Sequence, residues 1–186
     1  MLSNQQETTN LRMSVYCALF TALIIIGAYI SIPIPVGPVP IVLADFFVML
    51  SGLFLGGKYG LLSVALYLAL GILGMPVFSS GASGFAFLFG PTGGFLLGYL
   101  LLVASIGFLT DKLKPSFTTD LIGIMMGNVL LYALGITWLR ITLDISWASA
   151  TVIGLIPFIP GTIIKVIVAL IISRTLLPAF NENMRR

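Results

Sequence analysis

Residues 13–31 read MSVYCALFTALIIIGAYIS, and no charged side chain occurs between Arg12 and Asp45. A run of about 20 mainly apolar residues has the length of an α-helix that crosses the hydrocarbon of a bilayer. In that medium a helix has the further merit of satisfying its own backbone polar groups. Runs of the same character follow at 43–56, 58–75, 86–109, 119–139 and 161–179. The pattern predicts an all-α polytopic membrane protein, a six-transmembrane-helix bundle forming one integral membrane domain over 1–186. The run 43–56 is short and is expected to be extended by the apolar residues before it. Segment 146–160 is apolar too, but it is short and carries Pro157 and Pro160. It is expected to lie at the interface or re-enter a cavity.

Composition points the same way. The chain is 59% hydrophobic and 8% charged, with mean hydropathy +1.14, where a soluble domain carries roughly 25% charged residues. Too little polar surface exists to coat a water-soluble globule, which excludes a soluble enzyme, a disordered chain and a nucleic-acid binder. Cys17 is the only cysteine and histidine is absent. Disulfides, Cys/His metal sites and an imidazole base are therefore excluded, and no metal or cofactor is expected. Residues 1–12 are polar, without the short apolar run of a signal peptide, and are expected to form a cytoplasmic tail.

Charge position orients the helices. With six spans and both termini in the cytoplasm, the inner segments hold Arg12, Lys58, Lys112, Lys114, Arg174, Arg185 and Arg186, out of 9 basic residues in all. The outer segments hold Arg140 alone, a strong positive-inside bias. Counting 146–160 as a seventh span would translocate Arg185 and Arg186 and weaken that bias. The predicted inner connections are short and charged, whereas the outer loops 32–42, 76–85 and 140–160 are long and rich in Gly, Pro and Ser. Long structured loops on a compact scaffold carry binding function, so the outer face reads as built to receive a small molecule.

Three motifs mislead. Gly52 to Lys58 fits the opening of a phosphate-binding loop, but Tyr59 stands where the magnesium-binding Ser or Thr belongs. Gly81-Ala82-Ser83-Gly84 resembles a nucleophile turn, yet without histidine no Ser–His pair can form. Ser83 is retained only as a polar candidate in an outer loop. The pairs Gly52/Gly56, Gly94/Gly98 and Gly123/Gly127 have small-xxx-small spacing, read as close packing inside one bundle.

Few ionisable groups remain in or beside the spans. Lys165 sits one turn into the last helix, where it either seats a carboxylate or carbonyl oxygen or snorkels to the interface. Asp45 either accepts N–H bonds from a ligand, pairs with Lys165, or lies at headgroup level. Asn128 is helix–helix glue or a ligand contact. Arg140 and Asp144, spaced i,i+4, read as a surface pair. Tyr67, Phe78, Phe87, Tyr132 and Trp138 suit a pocket wall or an interfacial belt.

The loop motifs carry a resemblance. Ile34-Pro35-Val36-Gly37-Pro38-Val39-Pro40, Gly74-Met75-Pro76-Val77-Phe78 and Gly90-Pro91-Thr92-Gly93-Gly94-Phe95-Leu96-Leu97-Gly98 closely resemble the BioY family. So do Asn128…Tyr132…Gly135…Trp138-Leu139 and Pro157-Phe158-Ile159-Pro160-Gly161…Lys165. The match covers about residues 12–180 in order and spacing. BioY proteins are the biotin-specific substrate-binding (S) components of energy-coupling factor (ECF) transporters. The resemblance implies a multi-pass plasma-membrane protein, not an enzyme, that captures biotin with high affinity from the extracellular side. It implies as partners a transmembrane coupling protein and two cytoplasmic ATP-binding subunits, with the A-x-x-x-A pattern of Ala18 and Ala22 contacting the coupling protein. The corresponding site would use Phe78 and Phe87 as walls. Thr92, Gly93, Asn128 and Asp45 would serve the ureido group, and Lys165 either the carboxylate or the ureido oxygen; Tyr132 and Ser83 complete the candidates. The competing readings are an S component for another small vitamin and a non-transport intramembrane enzyme. Two departures stand out. The family's V-P-I-T-L-Q reads Val39-Pro40-Ile41-Val42-Leu43-Ala44 here, and its P-G-D before the last helix has Thr162 in the Asp position. Both remove hydrogen-bonding groups and raise the interest of Asp45.

Overall fold

The computed structural model describes residues 2–35, 37–113 and 116–185; the expectations touching Val36, Lys114, Arg186 and the Arg185 side chain lie outside the described residues. Six α-helical stretches follow in chain order: α1 (Leu2–Tyr29), α2 (Ala44–Ile72), α3 (Gly93–Lys112), α4 (Phe117–Leu143), α5 (Trp147–Gly154) and α6 (Ile159–Arg185). Two-residue strands β1 (Ser31–Ile32) and β2 (Ile41–Val42) pair antiparallel and close the loop between α1 and α2, with Ser31 opposite Val42. Short 3₁₀ turns at Ser79–Gly81, Phe85–Phe89 and Ile156–Phe158 shape the other loops. Among the described residues five stretches are long and apolar enough to cross a membrane: Asn10–Tyr29, Ala44–Ile72, Gly93–Lys112, Phe117–Leu143 and Trp147–Phe180.

The two helices predicted at 43–56 and 58–75 run together as α2, interrupted at Gly56 with φ 69° and ψ −168°. That backbone is open to glycine and strained for any other residue. The chain doubles back there. A Cβ built on Gly60 would lie 3.1 Å from the Ser51 carbonyl oxygen and 3.4 Å from the Gly52 Cα. A straight helix would separate residues 45 and 67 by about 33 Å, yet Asp45 and Tyr67 line one cavity. Asp111 holds the turn, its carboxylate accepting the Gly57 N–H at 2.9 Å. The amide of the pseudo-phosphate loop is thus taken by the protein's own acid.

Other boundaries shift for local reasons. The helix predicted to start at 86 starts at Gly93, because Pro91 lacks an N–H and pushes Gly90 into extended backbone (φ −73°, ψ 177°). The helix predicted at 119–139 spans Phe117–Leu143, opened by Ser116 accepting the Thr119 N–H at 3.1 Å and closed by left-handed Asp144. The predicted 161–179 begins at Ile159 with Pro160 in its first turn, and the predicted 13–31 extends back to Leu2. The segment 140–160, predicted as a loop, contains the end of α4 and all of α5. Arg140 does not pair with Asp144; its guanidinium lies 4.9 Å over the Trp147 ring.

Ile24, Val48, Met49, Val64, Leu102, Ile106, Ile124 and Leu139 are wholly buried where the helices meet. Glycines let α3 and α4 approach. A Cβ at Gly98 would meet Leu131, and one at Gly127 would meet Leu102, so the small-xxx-small pairs are spent inside the bundle. The outward faces are apolar as well, with Val129, Ile163, Ile164, Ile167 and Ile171 all exposed. Such faces suit lipid and not water. Near the start of α4 Asp120, 1% exposed, accepts from Ser173 Oγ at 3.0 Å and from the Arg174 guanidinium, tying α6 to α4.

Candidate functional site

The end of the bundle where α2 and α6 begin holds a chamber against α6. Lys165 and Asp45 define its polar end. Their charged atoms are 2.5 Å apart and the residues are 8% and 5% exposed. The doubling back of α2 and the β1–β2 closure bring Asp45 and Val42 to the first turns of α6; Lys165 Nζ also donates to the Val42 carbonyl at 3.3 Å. An ammonium has three donors, so one is left over, and Asp45 Oδ1 is buried without a partner. The pair therefore presents one spare donor beside one spare acceptor. A neutral group with a carbonyl oxygen next to an N–H is complementary to that face.

Aromatic and small side chains make the walls: Tyr67, Phe87, Phe95, Tyr99, Tyr132 and Phe158, with Ala28, Val39, Pro40 and Leu131. Phe95 stacks on Phe158 at 6.1 Å, and Tyr132 shares a 2.6 Å hydrogen bond with Thr162. About 50 Å³ is free inside for water-sized occupants. Next to it lies a vestibule of about 360 Å³ between the α1–α2 and α2–α3 loops, lined by Pro33, Ile34, Pro38, Ser80, Ala82 and Pro91 among others. Pro40, Ser79, Phe87 and Thr92 line both spaces and form a collar between them.

Of the residues singled out in the sequence, Asp45, Tyr67, Phe87, Thr92, Tyr132 and Lys165 meet at the chamber. Phe78 does not line it. Phe78 is wholly buried behind Phe87, stacked at 5.4 Å, in a space that exists because Gly71 has no Cβ. Gly93 is buried against the Leu88 carbonyl. Asn128 donates to the Ile124 carbonyl at 2.9 Å and faces Met49, tying α4 to α2, and lines an apolar groove between α4 and α6 instead. Ser83 is exposed and lines neither space. Ala18 and Ala22 lie on the exposed face of α1, beside Val15, Leu19 and Ile26.

Tyr99, Phe95 and Ser79 were missed. Phe95, Leu96 and Tyr99 stand three, four and seven residues after Thr92, one helical stripe, so projecting α3 from Thr92 would have found them. Ser79 carried no such signal, because its position depends on the turn after Phe78.

Comparison with known proteins decides the family. The sequence profile of the BioY family matches residues 3–182. The chain belongs to the BioY family. It is 44% identical over 164 residues to the biotin transporter BioY of Thermotoga maritima, covering 88% of this chain and 94% of that one. It is 34% identical over 180 residues to the biotin transporter BioY of Lactococcus lactis, covering 94% of each. Among solved structures it resembles the 2.1 Å crystal structure of the S-component for biotin from an ECF-type ABC transporter. The TM-score is 0.85 at 35% identity, covering 91% of this chain and 92% of that one. The chain is thus a multi-pass helical membrane protein with an aromatic chamber at the Asp45–Lys165 end of its bundle.

Proposed function

We propose that this chain is the biotin-binding S component of an ECF-type uptake transporter. It takes biotin from the extracellular side and leaves ATP hydrolysis to a transmembrane coupling protein and two cytoplasmic ATP-binding subunits. The observation that carries the reading is the buried Asp45–Lys165 pair in an aromatic chamber of a BioY protein. Biotin's ureido oxygen would accept the spare Lys165 N–H and a ureido N–H would donate to Asp45 Oδ1. Phe87, Phe95, Tyr132 and Phe158 would enclose the bicyclic ring. Asp45 thereby supplies, from α2, a carboxylate beside Lys165 although position 162 is threonine. The narrow chamber means that binding parts the Pro40–Phe87 collar. Polar groups that are half-satisfied and buried reject ligands lacking the matching partner.

We further propose six spans with both ends inside, Ala44–Ile72 counting as two crossings. Residues 33–40 and 79–92 share one vestibule, which needs an even number of crossings between them. Exposed Ala18 and Ala22 form the flat face that receives the coupling protein.

Purified full-length protein should co-elute with labelled biotin and not with labelled thiamine or riboflavin, and mass spectrometry of the co-purifying small molecule should return biotin. Retention of another vitamin would keep the S-component reading and replace the ligand; no retained ligand would sink it.

A further inference from the structure

The wall between the chamber and the membrane is thin at one place. Tyr132 lines the chamber and also a groove of about 580 Å³ between α4 and α6, and it alone among the described residues is common to the two linings. Two ties hold these helices together. Asp120 binds Ser173 and Arg174 at one level, and Tyr132 shares its hydroxyl bond with Thr162 at the other. The ties lie twelve residues apart on α4, about 18 Å along its axis, and the groove opens between them. Met125 and Val129 of α4 and Ile163 and Ile167 of α6 line it, with Val166, 8% exposed, at its base.

The chemistry of that wall narrows what can fill it. No charged residue lines the groove, and its surface is almost wholly apolar. The Tyr132 and Thr162 hydroxyls engage each other. Asn128 donates to the Ile124 carbonyl and to Met49 on α2, and its Oδ1 is buried. A void of this kind holds no water, which needs two or more polar partners. Val129, Ile163 and Ile167 are more than half exposed on the lipid-facing surface, so the occupant comes from the bilayer. A helix is too thick for the space: 18 Å of helix about 10 Å across occupies about 1,400 Å³. A hydrocarbon chain is thin enough and has the matching chemistry.

We infer that the α4–α6 groove is a lipid site that holds one acyl chain of a membrane phospholipid. An annular lipid touches a helix face on one side only, whereas an acyl chain in the groove meets α4, α6 and the base between them. Its many small dispersion contacts add up accordingly. Such an acyl chain also backs Tyr132 from the membrane side, where the chamber has a single side chain for a wall.

The test reconstitutes the full chain in nanodiscs of phosphatidylcholine carrying a mid-chain diazirine. After irradiation, peptide mass spectrometry should find adducts on Met125, Val129, Ile163 and Ile167 about 10-fold more often than on Val15 and Ile171, which are exposed outside the groove; that ratio corresponds to about 1.4 kcal/mol of preference. Equal labelling of groove and control residues overturns the site. Native mass spectrometry of the full chain extracted from membranes in mild detergent should show one retained phospholipid. Val129→Trp with Ile163→Trp fills the groove and should remove that lipid, while Ile171→Trp should keep it. A filled variant that still carries the phospholipid overturns the proposal. So does one that sheds a second copy of this chain or another polypeptide instead, which would make the groove a protein interface. The labelling arm uses the parent chain, so it decides the question even if the double variant does not fold.

Discussion

At the scale of single residues, the Asp45–Lys165 pair carries most consequence. Burying two charges costs several kcal/mol each after relaxation, and only the pairing offsets it. Losing one partner is therefore worse than losing both. Lys165→Met should lower the unfolding free energy by about 3–5 kcal/mol by stranding the Asp45 carboxylate, while the double variant Asp45→Leu with Lys165→Met should recover most of that loss. Thermal unfolding in detergent reads the stability, and biotin titration should show all these variants impaired. If the double variant is as unstable as Lys165→Met, the pair is not the source of the cost. Lys165 was legible because a lysine one turn inside an apolar helix demands a partner, but its partner was not. Asp45 stands among three readings in the sequence, one of them this pairing, and only the meeting of the starts of α2 and α6 across 120 positions of sequence selects it. Asn128 misled for the complementary reason. A buried amide needs a partner wherever it lies; here the Asn128 amino group finds the Ile124 carbonyl and Met49, while its Oδ1 is buried without one.

At the scale of elements, helix existence followed from run length and hydropathy, since the bilayer sets a minimum span and forbids unpaired backbone. Boundaries depended on local stereochemistry that a hydropathy window averages away, such as Pro91 delaying α3 to Gly93 or Ser116 opening α4 early. α1 shows what the sequence could indicate about docking. Ala18 and Ala22 are one turn apart on the exposed face, so no neighbour within the chain uses the close approach that small side chains permit. Ala18→Leu with Ala22→Leu should therefore leave biotin affinity in detergent within about twofold, because α1 meets the ligand chamber through Ala28 and not through this face. ATP-driven uptake by cells carrying the coupling subunits should fall to background. Uptake that survives the double substitution would move the docking surface to another face.

At the scale of the whole molecule, the question is how often the chain crosses the membrane, and the six-span proposal turns on the break at Gly56. Were Ala44–Ile72 a single crossing, residues 32–42 and 76–92 would stand on opposite sides of the bilayer, with Lys112 on the outer side when the N-terminus is inside. The shared vestibule of Pro33, Ile34 and Pro38 with Ser79, Ser80 and Gly90 requires the first two segments on one side. On the proposed topology the positive-inside bias makes that side the outer one. Single cysteines at Ile32, Ser83 and Lys112, all exposed, separate the cases. The native Cys17 can stay, being 1% exposed and out of reach of an aqueous reagent. In intact cells a membrane-impermeant maleimide should label Ile32→Cys and Ser83→Cys, while Lys112→Cys should react only after permeabilisation. Labelling that splits Ile32→Cys from Ser83→Cys would mean an odd number of crossings between them and would dismantle the vestibule. Labelling of Lys112→Cys alone would keep the six spans but turn the molecule over, leaving the collar facing the cytoplasm, where it could not capture a vitamin from outside.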